Sequence, residues 1–180
     1  MRIRASFGVA AACVLALTTT ACGSAANSAA SGSTGTLPTV TSAPRKPCTV
    51  DQIMVTANFG AAPTVTLPKD CTTPTTLLSK DIVAGTGTAV ASGDTISADY
   101  QLTTWSDGKM LQQSFGGDPF NAQIGVHAVI PGWDQGLIGM KANGRRLLVV
   151  PPALGYGNTP PAGIKANETL VFVIDVHSVS

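Results

Sequence analysis

Val129-Ile130-Pro131-Gly132-Trp133-Asp134-Gln135-Gly136-Leu137-Ile138-Gly139-Met140 is the stretch whose reading decides the fold. Its apolar residues follow the wider spacing of a helix, inside a region that otherwise alternates like strands. Pro131 suits a first helical position, where its fixed φ fits and its missing N–H would have gone unpaired anyway. Trp133 and Leu137 share one face, and Ile138 and Met140 widen it. Gly132, Gly136 and Gly139 each weaken a helix by about 1 kcal/mol relative to Ala. Propensity alone cannot form this helix, so strands wrapped around its apolar face are the expected enclosure.

Those strands are legible on both sides. Thr95 to Leu102 alternates, with Ile96, Ala98, Tyr100 and Leu102 on one face and Thr95, Ser97, Asp99 and Gln101 on the other, as in a half-buried antiparallel strand. Ser106-Asp107-Gly108-Lys109 has the composition of a hairpin turn. Phe120, Ala122 and Ile124 alternate again. Arg145 to Val150 and Thr169 to Val176 read as two more strands, joined by a loop rich in Gly and Pro. Several strands and one short helix make an α+β domain, and no internal repeat is visible.

The chain has 180 residues, 44% hydrophobic and 12% charged, which suffices for one ordinary core. Residues 1–21 read as a signal peptide: Arg2 and Arg4, an apolar run from Ala5 to Leu17 too short to span a bilayer, then small residues. Taking those two arginines from the eleven basic residues leaves nine against ten acidic ones. No clustered basic face points to nucleic acid. Ala21-Cys22-Gly23-Ser24 resembles the processing site of bacterial lipoproteins, although Thr19 stands where that pattern usually has Leu. The resemblance implies an exported protein anchored at the outer surface of the cell membrane through lipidated Cys22, with plain secretion as the alternative. Residues 22–46 carry Ser, Thr, Ala, Gly and Pro with no charge before Arg45, the composition of a disordered tether.

Once the leader is gone, Cys22, Cys48 and Cys71 remain, and lipidation of Cys22 leaves one pair. A Cys48–Cys71 disulfide, worth roughly 3 kcal/mol on a chain-entropy argument, is one reading and two free thiols the other. No other Cys or His lies at ligand spacing, so neither a metal nor a cofactor is expected. Residues 47–74 form an extension in which Thr64 to Leu67 alternates, expected to add an edge strand to the main domain at 75–180.

The usual catalytic groupings are missing. The two histidines, His127 and His177, read as surface residues, and no serine or cysteine nucleophile motif stands with a base. Gly85-Thr86-Gly87 and Gly155-Tyr156-Gly157 are too short for phosphate loops. Eight aromatics follow the leader, and seven of them fall between positions 100 and 172. Tyr156 lies between glycines in a loop and Trp133 at a helix start, which together suggest an apolar pocket with a few hydroxyls.

Val129 to Leu137, Gly139-Met140-Lys141, Gly144-Arg145-Arg146, Pro151-Pro152, Leu154-Gly155-Tyr156-Gly157 and Asn167 to Phe172 together resemble the FKBP-type peptidyl-prolyl isomerases, over roughly positions 75 to 180. The resemblance implies an antiparallel sheet curled around one short helix, in agreement with the enclosure argument. It places Trp133 at the floor of a prolyl pocket and Val129 and Ile130 in the wall, Ile130 also supplying a backbone N–H. Tyr100, Phe120 and Phe172 would line the sides, and Tyr156 would offer its hydroxyl. Leu111, Gln112 and Ile164 would form the rim. Leu111 and Gln112 depart from the family's aromatic followed by Asp, after about one extra residue, and the loop beyond Tyr156 is about one residue short.

The activity so implied is rotation about X–Pro bonds in exported proteins, through stabilisation of the twisted amide. The implied partners are proline-containing polypeptides and macrolide inhibitors, bound by a monomer. The alternative is a peptide-binding or chaperone module that uses the same pocket and isomerises poorly.

Overall fold

The computed structural model describes residues 44–180. The expected signal peptide, Cys22 and the tether up to position 43 lie outside the described residues. In chain order the elements are β1 (Met54–Thr56), β2 (Thr64–Thr66), β3 (Leu78–Val83), β4 (Thr95–Thr104), β5 (Met110–Gln113), β6 (Phe120–Gln123), α1 (Pro131–Gly136), β7 (Gly144–Val150) and β8 (Leu170–Val179). Short 3-10 turns occupy Val50–Gln52 and Pro152–Leu154.

The main sheet is antiparallel and ordered β3-β7-β8-β4-β5. β6 pairs with the start of β4, from Thr95 to Ala98, while β5 pairs further along, from Gln101 to Thr103. The alternating residues of the strands feed two apolar layers. On the inner face Ile96, Leu102, Leu148, Phe172 and Ile174 pack with Trp133, Leu137 and Met140 from the helical stretch. On the outer face Leu147, Val149, Val171 and Val173 pack with Ile53, Val55 and Val65. This double cover explains why Leu147 to Val150 reads as an unbroken apolar run: every residue of β7 is buried.

The outer layer corrects one expectation. Residues 47–74 do not add an edge strand; β1 and β2 pair only with each other, as a separate two-stranded sheet. The physical reason is that the outer faces of β7 and β8 carry valine and leucine that need covering, and the small hairpin lies over them. Asp99 and Gln101, expected on a solvated face of β4, are therefore buried too. Cys48 and Cys71 form a disulfide, with Pro47 bridging Thr72 beside it.

The helix is shorter than its sequence signal. It ends at Gly136, Leu137 is its C-cap, and Gly139 turns the chain at a φ of +78°. Met140 thereby returns to the core, whereas Ile138, read as part of the buried face, is 42% exposed. Beyond Gly136 the chain is a turn, so helical spacing no longer decides which side chains face inward. The glycines have their explanation in packing. A Cβ on Gly132 would meet Val150 Cγ1 at 2.4 Å, and one on Gly136 would meet Leu148 Cδ2 at 2.8 Å. They weaken the helix and let it lie directly on β7.

Candidate functional site

The pocket is built by register. Leu102 in β4 pairs with Phe172 in β8 on one side and with Gln112 in β5 on the other, so the three stand in one row on the inner face. Pairing then jumps from Leu102–Gln112 to Thr103–Met110, which leaves Leu111 as a bulge. The bulge leaves Gln112 paired with Leu102 in the inner row. Tyr100 stands two residues from Leu102 along β4, and Phe120 opens β6.

Trp133 is the floor. It is buried, and its ring centroid lies 5.4 Å from Phe172, 5.6 Å from Tyr100 and 5.9 Å from Phe120. The three neighbours stand at 83° to 87° to the indole, edge-to-face contacts each worth about 0.5–1.5 kcal/mol beyond area burial. The indole N–H is buried and has no hydrogen-bond partner among the described residues. The tryptophan is thus held by the shape and area of its ring.

The wall comes from the loop before α1. Asp134, buried in the first turn of the helix, accepts hydrogen bonds from the Gly125 N–H at 2.7 Å and the His127 N–H at 2.9 Å. These bonds hold Gly125 and His127 at φ values of +80° and +62° and fix the approach to Val129 and Ile130. Tyr156 joins the lining from the loop after Pro152–Leu154. The resulting cavity has a volume of about 410 Å³ and is lined by Tyr100, Leu102, Gln112, Phe120, Ala128, Val129, Ile130, Trp133, Tyr156 and Phe172.

Donors remain unspent in this apolar bowl. Among the described residues, the Ile130 N–H and the hydroxyls of Tyr100 and Tyr156 make no hydrogen bond. Burial pushes the Tyr100 phenol above its ordinary value, and the neighbouring Tyr156 adds in the same direction. Tyr100 is therefore a neutral donor throughout the physiological range. Such a cavity can grip a compact apolar group and offer hydrogen bonds to one carbonyl at its mouth.

The seven residues assigned to the pocket from sequence are brought together here, with Gln112 beside them. Leu111 and Ile164 are not in the lining; both are partly buried against the inner core next to it. Leu102 and Ala128 line the cavity without having been singled out, although Leu102 already stood on the inward face of β4. Asp134 was missed as well. Only its place one residue after the floor could have marked it, because its backbone partners are set by the loop. His127 is a surface side chain, as read, and His177 is half-buried against Asp99. Among the described residues no group of three or more His, Cys, Asp or Glu could hold a metal ion, and no helix is long and apolar enough to cross a membrane.

The sequence profile described as "FKBP-type peptidyl-prolyl cis-trans isomerase" matches residues 86–177. The chain belongs to that family. It is 41% identical over 109 residues to a protein of Streptomyces anulatus named "FK506-binding protein", a match covering 59% of this chain and 88% of that one. It is 46% identical over 90 residues to "FK506-binding protein 4" of Chaetomium thermophilum, covering 50% of this chain but only 18% of that longer one. Among solved structures, FkpA from Escherichia coli superposes with a TM-score of 0.53 at 37% identity, over 58% of this chain and 48% of that chain. A peptidyl-prolyl cis-trans isomerase from Pseudomonas syringae gives a TM-score of 0.52 at 28% identity, over 58% and 75% of the two chains. The matched FKBP-type region contains every residue of the aromatic pocket.

Proposed function

We propose that the aromatic pocket seats the prolyl ring of an X–Pro segment and accelerates its cis–trans rotation by favouring the twisted amide. The observation that carries this reading is the pairing of an aromatic bowl, Trp133 with Phe172, Phe120 and Tyr100, with unspent donors at Ile130 and Tyr156. Rotation about the amide faces a barrier of about 20 kcal/mol because resonance holds it planar. No bond breaks, so neither nucleophile nor proton shuttle is needed. Apolar walls disfavour the polar planar form, and donors fixed at the mouth hold the carbonyl oxygen while the C–N bond turns. Interactions stronger in the twisted state than in either planar state lower the barrier.

The assay is isomerisation of an X–Pro tetrapeptide and of a proline-limited refolding protein. Phe172→Ala that folds normally should lose most of the parent's activity; a folded Phe172→Ala with the parent's rate would remove the pocket from the mechanism. A second reading, a peptide-binding module with poor turnover, is favoured by Gln112, whose uncharged amide takes the place of the family's acid. Refolding without acceleration at catalytic concentrations, together with peptide binding, would establish that second reading. The macrolide suggested by the relatives' names, FK506, serves as a competitor for the same cavity.

The substrates are taken to be exported proteins. A disulfide at Cys48–Cys71 suits an oxidising compartment, and the leader and Cys22 supply the route and the anchor. Metabolic labelling with a fatty acid, lost in Cys22→Ser with release of the protein to the medium, tests the anchor. Unlabelled protein in the medium of the parent strain would favour plain secretion.

A further inference from the structure

Asp99 in β4 and Asp175 in β8 stand directly opposite one another on the outer face of the sheet. Like charges so placed repel, and each carboxylate has its own counter-group. Asp175 takes Arg145 Nε at 2.6 Å and Nη2 at 2.8 Å. Asp99 lies 2.9 Å from His177 Nε2 and accepts from Ser114 Oγ at 2.7 Å. Ser114 sits where the ladder is interrupted, since β5 pairs with β4 only from Gln101 onward and β6 only up to Ala98. There Ser114 Oγ accepts the Tyr100 N–H at 3.1 Å, and the Ser114 N–H donates to the Tyr100 carbonyl at 3.0 Å. Ser114 thereby ties Tyr100 to the start of the connection 114–119, whose far end is Phe120. Tyr100 and Phe120 are one wall of the pocket, their centroids 5.5 Å apart.

The same network reaches the outer hairpin. Phe59 meets the His177 ring edge-on at 5.5 Å. Its loop is clamped by the Gly60 N–H donating to Asp175 Oδ2 at 2.6 Å, and by Arg145 donating to the Ala57 and Ala61 carbonyls at 2.9 and 2.7 Å. The Arg145 guanidinium also lies 5.5 Å from the Phe115 ring, the residue after Ser114. We propose that Ser114 is a positioning residue for the prolyl pocket, and that the outer hairpin sets the Tyr100–Phe120 wall through Phe59, His177 and Asp99. The sheet carries the linkage from one face to the other, so an extension that never touches the cavity tunes its fit to substrate. This rests on the prolyl reading of the pocket.

The test uses the full chain, with KM and kcat measured on an X–Pro tetrapeptide, the unfolding midpoint, and the NMR resonances of the Tyr100 amide and the Phe120 ring. Ser114→Ala and Phe59→Ala should each raise KM roughly threefold to tenfold with kcat within about twofold. Ser114→Thr should restore the parent value, and the double variant should be no worse than Ser114→Ala, because both act on one linkage. Met54→Ala, exposed on the same hairpin, should leave every reading unchanged. Folded variants with the parent's KM, or a fully additive double variant, would overturn the proposal. Should Ser114→Ala fail to fold, Phe59→Leu carries the same comparison. A parent that neither binds nor isomerises the peptide defeats the prolyl reading alone. In that event Phe59→Ala should still move the Tyr100 and Phe120 resonances, and unmoved resonances would defeat the positioning.

Discussion

Arg145 and Arg146 are neighbours in β7 that serve opposite faces of the sheet. Arg145 is fully buried on the outer side, fork-to-fork with Asp175, and holds the loop of the outer hairpin by two carbonyls. Arg146 reaches inward to the Gly136 carbonyl at 2.9 Å and the Ile138 carbonyl at 3.3 Å, with Asp81 as its counter-ion at 2.6 Å. It thus satisfies the C-terminal end of the helix whose first turn carries the pocket floor. The alternation of a strand gives two identical side chains two separate tasks.

The two arginines should differ in cost. Arg145→Met leaves Asp175 buried without its partner, for an expected loss of about 3–5 kcal/mol. Arg146→Met leaves Asp81, which is half-exposed, able to take up water, and the expected loss is about 1–3 kcal/mol. Urea unfolding of both variants measures the difference, and equal losses would contradict the contrast in burial.

Gly132→Ala should destabilise the protein, although alanine is the better helix former by about 1 kcal/mol. The added methyl meets the Val150 side chain at 2.4 Å, and overpacking of that kind costs about 1–3 kcal/mol. A higher unfolding midpoint for Gly132→Ala would show that the helix can draw back from β7 freely.

Tyr100 and Tyr156 are the chain's two tyrosines. Tyr100 has its phenol raised above 10.0 by burial and then by Tyr156. The folded state holds this proton more tightly than the unfolded chain, so its contribution to stability is complete below pH 10.0 and is lost as pH rises through the folded value. Phenolate absorbance should show a late step that Tyr100→Phe removes, with stability beginning to fall only in that alkaline range. A parent titrating entirely at the free-tyrosine value would refute the assignment.

Tyr156→Phe keeps the ring and deletes one of the unspent hydroxyls. On the proposed mechanism kcat/KM should fall roughly fivefold to thirtyfold, the worth of one hydrogen bond of about 1–2 kcal/mol, with stability nearly unchanged. Activity equal to the parent's would leave the carbonyl to Ile130 and Tyr100.

Reduction of Cys48–Cys71, or the paired Cys→Ser change, should lower stability by roughly 3 kcal/mol. The bridge joins residues 23 apart in the sequence at the base of the outer hairpin, so amide exchange should quicken first in residues 47–67. Uniform quickening throughout the main sheet would mean that the bridge supports the whole core.

The helix, its need for enclosure and the strands that supply it were legible from periodicity, because a strand or helix face is written in the spacing of its own residues. The pocket residues came from the resemblance carried by the ordered motifs around Trp133 and Tyr156, and spacing placed only Tyr100, Trp133 and Phe172 on inward faces. The sequence by itself therefore determined the central helix and the strands β4, β6, β7 and β8 that enclose it, with Trp133 and Phe172 facing inward. Only the tertiary structure decided that Gly132 and Gly136 make room for Val150 and Leu148, that Leu111 bulges so that Gln112 faces the cavity, and that Asp134 pins the wall loop. It also decided that residues 47–67 cover the outer face instead of extending the sheet, with Arg145 and Asp175 sealed between the layers. Those facts depend on contacts between residues up to 115 positions apart, such as Gly60 with Asp175, and local spacing carries no record of such partners.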